Sequence, residues 1–174
     1  MHKALLIPAL LVAVIAAAPQ HQHQRDIDRA NSAIAEFKHH DESMQEWFES
    51  AAGYAVFPNV GKGGFGIGGA HGTGVLFEKG TPIGATDLKQ LTIGLQFGGQ
   101  AYAEVIFFED EFSLGGFKKG NFELSAQASA VAVTLGAAAT AGYEKGVAIF
   151  TMQKGGLMYE ASVGGQKFEF DAWE

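Results

Sequence analysis

Apolar residues recur at helical spacing in one part of the chain only. Ile27, Ala30, Ile34 and Phe37 repeat every three or four positions, and after the polar break HHDE a second run starts with Met44, Trp47 and Phe48. The pattern predicts two consecutive helices between Asp26 and Ser50. Ser43 and Glu46 have the spacing of a capping box, S-x-x-E, in which each side chain bonds the other residue's free backbone amide. The polar sides carry Asp28, Glu36, Asp41, Glu42 and Glu49. A helix lying on a membrane would be rich in Lys and Arg there, so these stripes are expected to face a core.

From Gly53 onward the period changes. Short apolar segments with β-branched and aromatic residues alternate with glycine pairs, which is the texture of strands. The candidates are Tyr54–Phe57, Gly64–Ala70, Thr73–Glu78, Leu91–Gly98, Ala101–Phe108, Phe122–Val133, Val147–Gln153, Leu157–Val163 and Lys167–Phe170. Gly98-Gly99, Gly155-Gly156 and Gly164-Gly165 fall where hairpin turns are needed, because glycine accepts positive φ without a Cβ clash. Strands joined that tightly pair antiparallel. EDEFSLGGF, between two strands, is expected to form a short helix or a crossover loop. The fold class that follows is α+β, with N-terminal helices packed on a curved, glycine-rich antiparallel sheet or incomplete barrel.

The densest glycine stretch, GKGGFGIGGAHGTG from Gly61 to Gly74, contains a literal G-x-G-x-x-G. A dinucleotide site needs a helix after such glycines, to receive the pyrophosphate at its N-terminus. Here HGTGVLFE follows, which reads as another strand, so no nucleotide or other cofactor is expected. Phe65 and Ile67 alternating with Gly64, Gly66 and Gly68 describe a strand whose bare side lies against a close backbone or ring. AQASAVAV, with alanines at 126, 128, 130 and 132, is read in the same way as a narrow-faced strand at a curved wall.

The first eighteen residues, MHKALLIPALLVAVIAAA, place Lys3 before an apolar run that ends in small residues. That is the layout of a secretory signal peptide, with a retained membrane anchor as the alternative. Residues 1–18 are thus assigned to the signal, 19–25 to a polar linker and 26–174 to one domain, exported to the periplasm or beyond. With no cysteine in the sequence a lipid-modified cysteine is impossible. A domain of this size buries enough apolar surface to need no disulfide. Loss of Lys3 leaves 11 basic against 19 acidic side chains, a net charge of −8. Such a balance disfavours nucleic-acid partners and leaves any attraction to an anionic membrane to a local basic patch acting within a Debye length.

Four blocks in order, GYAVFPNVGKGGFGIGGAHGTGVLFEKG, LTIGLQFGGQAYAEVIFF, NFELSAQASAV and KGGLMYEASVGGQKFEF, resemble the SYLF domain in its bacterial exported branch. The resemblance runs from about Asp26 to Phe170. It implies a non-catalytic lipid-binding domain, since eukaryotic members of the family associate with phosphoinositides and membranes and fungal members with actin. Two blocks differ. The basic segment that precedes the eukaryotic domain is replaced here by one with Arg25, Arg29 and Lys38 among many acids, and TPIGATDLKQ stands in place of a W-S-x-P block.

For lipid contact the segment GGFKKGN is the candidate, with Phe117 as an apolar wedge beside Lys118 and Lys119 on a glycine-flanked loop. A lysine near an anionic leaflet contributes about 1 kcal/mol. Lys154, in the turn QKGG, joins the patch if the fold brings the loops together. No enzymatic activity and no metal site are expected. His39 and His40 point in different directions on a helix, His21 and His23 lie in the linker, and His71 lies in an apparent turn. Glu104 falls in an apolar strand, where it is expected to face outward or to meet a lysine. Two other function classes stay open: an envelope scaffold that binds protein rather than lipid, and a small outer-membrane barrel, which would need about eight strands of 9–11 residues.

Overall fold

Helix α1 (Ala18–His40) and helix α2 (Met44–Ser50) come first among the described residues. The computed structural model describes residues 18–65, 67–93, 99–154 and 162–173. All but the last residue of the expected signal peptide lies outside them. The expected polar linker 19–25 is helical instead. Its glutamines bond acids one turn ahead, Gln22 to Asp26 at 3.0 Å and Gln24 to Asp28 at 2.9 Å. Such pairs support a helix whose residues are polar all round. Pro19 sits in the first turn, where its missing N–H is one the helix leaves unbonded anyway.

The break between α1 and α2 is held by Asp41, not by the expected capping box. Ser43 has helical dihedrals and makes no side-chain cap bond. Asp41 Oδ1 instead accepts from the Ser43 amide at 3.0 Å and its hydroxyl at 2.6 Å. Its other oxygen accepts from the Ala138 amide at 2.8 Å. That bond ties the helical corner to a 3-10 turn at Ala138–Thr140.

Among the described residues, eight strands form one sheet in the order β5-β8-β3-β2-β1-β4-β7-β6. They are β1 (Gly53–Phe65), β2 (Ile67–Glu78), β3 (Thr81–Ile93), β4 (Gly99–Phe108), β5 (Phe122–Glu123), β6 (Val131–Ala132), β7 (Val147–Gln153) and β8 (Lys167–Ala172). Every pairing is antiparallel except β6 with β7. The α+β architecture with leading helices is thus as expected, and the sheet curls into half a barrel. A third helix, α3 (Glu111–Lys118), follows β4.

Several strand boundaries differ from expectation. Gly64–Ala70 is not one strand: β1 and β2 are long arms of a hairpin, with Phe65 and Ile67 facing each other as partners near its tip. The G-x-G-x-x-G therefore bends around a β-hairpin. Gly66 lies outside the described residues, as do most of the expected strand Leu91–Gly98 and of Leu157–Val163. TPIGATDLKQ, which stands in place of the W-S-x-P block and is absent from the expected strands, is most of β3. The expected strand 122–133 is mainly irregular, with two ordered residues at each of β5 and β6.

That irregular segment closes the fold. β5 pairs with β8 at one edge of the sheet, and β6, eight residues later, pairs with β7 at the other. One stretch of chain therefore spans both edges, a strap that only a strongly curled sheet permits. A bulge at Pro58-Asn59 in β1 helps the curl, since an extra residue bends a strand and raises its twist. It also keeps Phe57 and Val60 on one face. Gly74, on the same inner face, is where two backbones come close: a Cβ there would stand 2.4 Å from the Val56 carbonyl oxygen and 2.7 Å from the Phe57 ring.

The sheet has two cores. Its outer face packs Tyr54, Val56, Phe77, Phe107 and Phe150 under Ala30, Phe37, Met44 and Phe48 of α1 and α2. Its inner face packs Phe57, Leu76, Leu88, Ile106, Phe108 and Phe168 against Leu114 and Phe117 of α3.

Candidate functional site

The four residues expected to touch lipid do not form one patch. Phe117 is 1% exposed. Its ring lies 4.9 Å from Phe108, 5.5 Å from Phe122 and 5.5 Å from Phe168, so it plugs the inner core and is no surface wedge. Lys118 pairs with Glu78 at 3.0 Å. Lys154 pairs with Glu36 of α1 at 3.6 Å, on the other side of the sheet from α3. Lys119 alone of the four is exposed without an acidic partner among the described residues.

Helical phase explains the exchange. Asp110 caps α3 by accepting from the Ser113 amide at 2.8 Å, and the register that follows turns Leu114 and Phe117, three apart, toward the core. Phe112 then faces outward and is 90% exposed. It borders a shallow groove of about 370 Å³ that also takes in Lys119, Phe122, Lys145 and Val147. Lys145 stands in the turn ahead of β7 with φ of 52°, followed by Gly146 with φ of 81°. Like Lys119, it has no acidic partner among the described residues. An exposed ring flanked by two free ammonium groups is an amphipathic surface, and sequence spacing alone did not select Phe112.

A second arrangement lies inside the half barrel, at the end away from α3. Glu104, expected to face outward or to meet a lysine, points inward from β4 and is fully buried. Its Oε2 accepts from Gln166 Nε2 at 3.0 Å, and the same amide nitrogen lies 3.3 Å from the Tyr102 hydroxyl. Gln90 donates from one nitrogen to the Ser162 carbonyl at 3.0 Å and the Gly164 carbonyl at 2.9 Å. Lys62 Nζ donates to the same Ser162 carbonyl at 3.3 Å. Glu104 Oε1, Gln166 Oε1 and Gln90 Oε1 are buried without a hydrogen-bond partner among the described residues.

The electrostatics follow from burial. Desolvation pushes the Glu104 carboxyl up to about 8, and the bond from Gln166 and the charge of Lys62 offset it only in part. Burial, followed by the Glu104 charge, pushes the Tyr102 phenol well above its ordinary range. Burial draws the Lys62 ammonium down, with Glu104 opposing. The histidines take no part. His23 stacks on Trp173 at 4.6 Å, His39 and His40 adjoin at the end of α1, and His71 Nδ1 lies 3.2 Å from the Leu88 carbonyl oxygen.

Comparison with known proteins gives two matches. Residues 89–173 match the model of a family described as Ysc84, Las17-binding protein actin regulator. Glu104, Phe112, Lys119, Lys145 and Gln166 all fall within that stretch. The chain is also 31% identical over 144 residues to beta cell expansion factor A of Aeromonas veronii, across 82% of this chain and 54% of that protein. The chain thus spans about half the length of that relative.

Proposed function

The chain belongs to the Ysc84, or SYLF, family, and from that membership we propose a non-catalytic role at a lipid or membrane interface of the bacterial envelope, reached through the N-terminal signal. The observation that carries this reading is the surface formed by Phe112, Lys119 and Lys145. An aromatic ring at a headgroup boundary buries apolar area, while each lysine near an anionic surface adds about 1 kcal/mol of attraction. The chain is otherwise acidic, with 19 acids against 12 basic side chains. Only such a local patch supplies attraction, and it acts over about 8–10 Å in ordinary salt.

Co-sedimentation of the protein lacking residues 1–18 with cardiolipin-rich vesicles tests this. Binding should weaken as salt rises and should fall more than tenfold in a Lys119→Glu, Lys145→Glu double variant, since two lost attractions of about 1 kcal/mol each already exceed the 1.4 kcal/mol of a tenfold change, before two repulsions are added. Phe112→Ser should weaken binding at every salt concentration. Undiminished binding by all of these variants would sink the assignment.

The family description, a Las17-binding actin regulator, supports a second reading in which the partner is a protein. The same exposed Phe112 favours it, because an aromatic anchor serves protein interfaces equally well. Loss of capture of an envelope protein by Phe112→Ser, with vesicle binding absent in the parent, would favour that reading.

A further inference from the structure

The strap that closes the half barrel is fastened from within. Gly165 donates to the Leu124 carbonyl at 3.2 Å, and Leu124 donates to the Gln166 carbonyl at 2.9 Å. Ser129 bridges Ser162. The segment 162–166 therefore holds the strap, and four side chains from the sheet hold the segment: Lys62, Gln90, Tyr102 and Glu104.

The Glu104–Gln166 contact has a particular form. One amide N–H of Gln166 donates to one carboxyl oxygen, and the two atoms left over are the other oxygen of each group. Two acceptors cannot bond each other. A carboxylic acid, however, carries an O–H donor in addition to its acceptors. An acid and an amide that already share one N–H···O bond are complementary at their other two atoms, and a proton on Glu104 Oε1 gives Gln166 Oε1 the donor it lacks. Leaving both oxygens unbonded would carry the desolvation penalty of two buried acceptors.

We propose that Glu104 holds a proton in the closed molecule and forms a two-bond acid–amide ring with Gln166, and that this ring is a proton-dependent latch on the strap. Among the described residues, the ionisable groups set against Glu104 are Lys62 from β1 and Tyr102 from β4. Its neighbours across the ladder, Phe57 on β1 and Thr151 on β7, carry no charge. Gln90 and Gln166 are neutral amides. Burial, which pushes this carboxyl up to about 8, favours the same protonated form.

The direction of the pH effect follows. In the closed state the carboxyl resists ionisation until about pH 8, whereas when the segment swings out it is solvated and ionises near its ordinary value of 4.5. The open state therefore releases a proton that the closed state keeps. Opening grows about tenfold per pH unit across that window and levels off above it. Below the window the latch is at its tightest.

Hydrogen exchange of the wild-type protein, read by mass spectrometry and corrected for intrinsic rates, tests the latch. Protection of the Leu124, Gly165 and Gln166 amides should fall about tenfold per unit between pH 5.5 and 7.5, as expected for opening linked to one proton. In Glu104→Gln, which keeps the ring's shape without an ionisable group, the same amides should be flat in pH. Equal slopes in the two proteins, or a flat wild type, overturn the proposal. Infrared difference spectra of the wild type decide the matter if that variant does not fold. A protonated-carboxyl carbonyl band that persists at pH 6.5 supports the ring, and its absence at that pH refutes it. No vesicle enters either measurement, so the latch and the lipid reading fail separately.

Discussion

The two faces of the sheet are built from alternate residues of the same strands, yet they differ in kind. On β4, Ala103, Val105 and Phe107 point to the outer face, while Tyr102, Glu104, Ile106 and Phe108 point inward. The outer face is aromatic. Phe107 sits 5.5 Å from Trp47, 4.9 Å from Phe48 and 5.7 Å from Phe150. Trp47 donates its indole N–H to the Ala138 carbonyl at 3.1 Å, so that its polar atom is paired as well. The inner face is apolar near α3 and carries the buried polar side chains of Gln90, Tyr102, Glu104 and Gln166 at its other end. A period of two along one strand thus separates a face that holds the fold from a face that carries titratable chemistry.

The largest effect should come from the outer face. Phe107→Ala removes a fully buried ring from a cluster with little freedom to collapse, and should cost about 3–5 kcal/mol. Chemical denaturation should give the same loss at pH 6 and pH 8, because the Tyr54 ring 5.8 Å away is held above its ordinary value of 10.0 by burial and stays neutral at both. A loss that depends on pH would break the division between the faces.

The inner face should show the opposite behaviour. Because burial raises Glu104 to about 8 in the folded chain, folding keeps a proton that the unfolded chain gives up above its ordinary value of 4.5. Its contribution is fully present below that value and declines as pH rises to about 8. Thermal melts of Glu104→Gln should therefore gain on the wild type steadily from pH 5 to pH 8 and run parallel to it above. A constant difference across that range would mean that Glu104 is ionised in the folded protein throughout.

The sequence revealed the outer face better than the inner one. The helical stripes of Ala30, Phe37, Met44 and Phe48 are local patterns, and they bury where their period says. Val147–Gln153 and Ala101–Phe108 match β7 and most of β4 because their apolar runs are unbroken. β3 was hidden because Pro82, Gly84 and Asp87 are residue types that strands disfavour. Its geometry is tertiary: at Gly84 a Cβ would stand 2.4 Å from both the Asp171 carbonyl and the Phe170 ring, so a distant strand demands the glycine. AQASAVAV misled in the reverse sense, since its alternation suits a strand while the chain there crosses between two sheet edges. The partner of Glu104 is 62 residues away, and no local spacing brings Gln166 to it. Phe112 and Phe117 both lie on α3, and only the phase set by Asp110 decides which is exposed.

The smallest effect separates the paired lysine from the free one beside it. Lys118 bridges Glu78 at 3.0 Å with both side chains partly exposed, and exposed pairs of that sort contribute about 0–1 kcal/mol. Lys118→Ala should therefore lower stability by less than about 1 kcal/mol, and the loss should shrink in high salt. Its charge is already matched by Glu78, so its removal should change vesicle binding less than Lys119→Ala, which deletes an ammonium with no acid beside it. Equal losses of vesicle binding from the two single variants would mean that the surface responds to total charge. The groove around Phe112 would then lose its claim to be the contact, while the aromatic outer core and the latched inner one would stand as before.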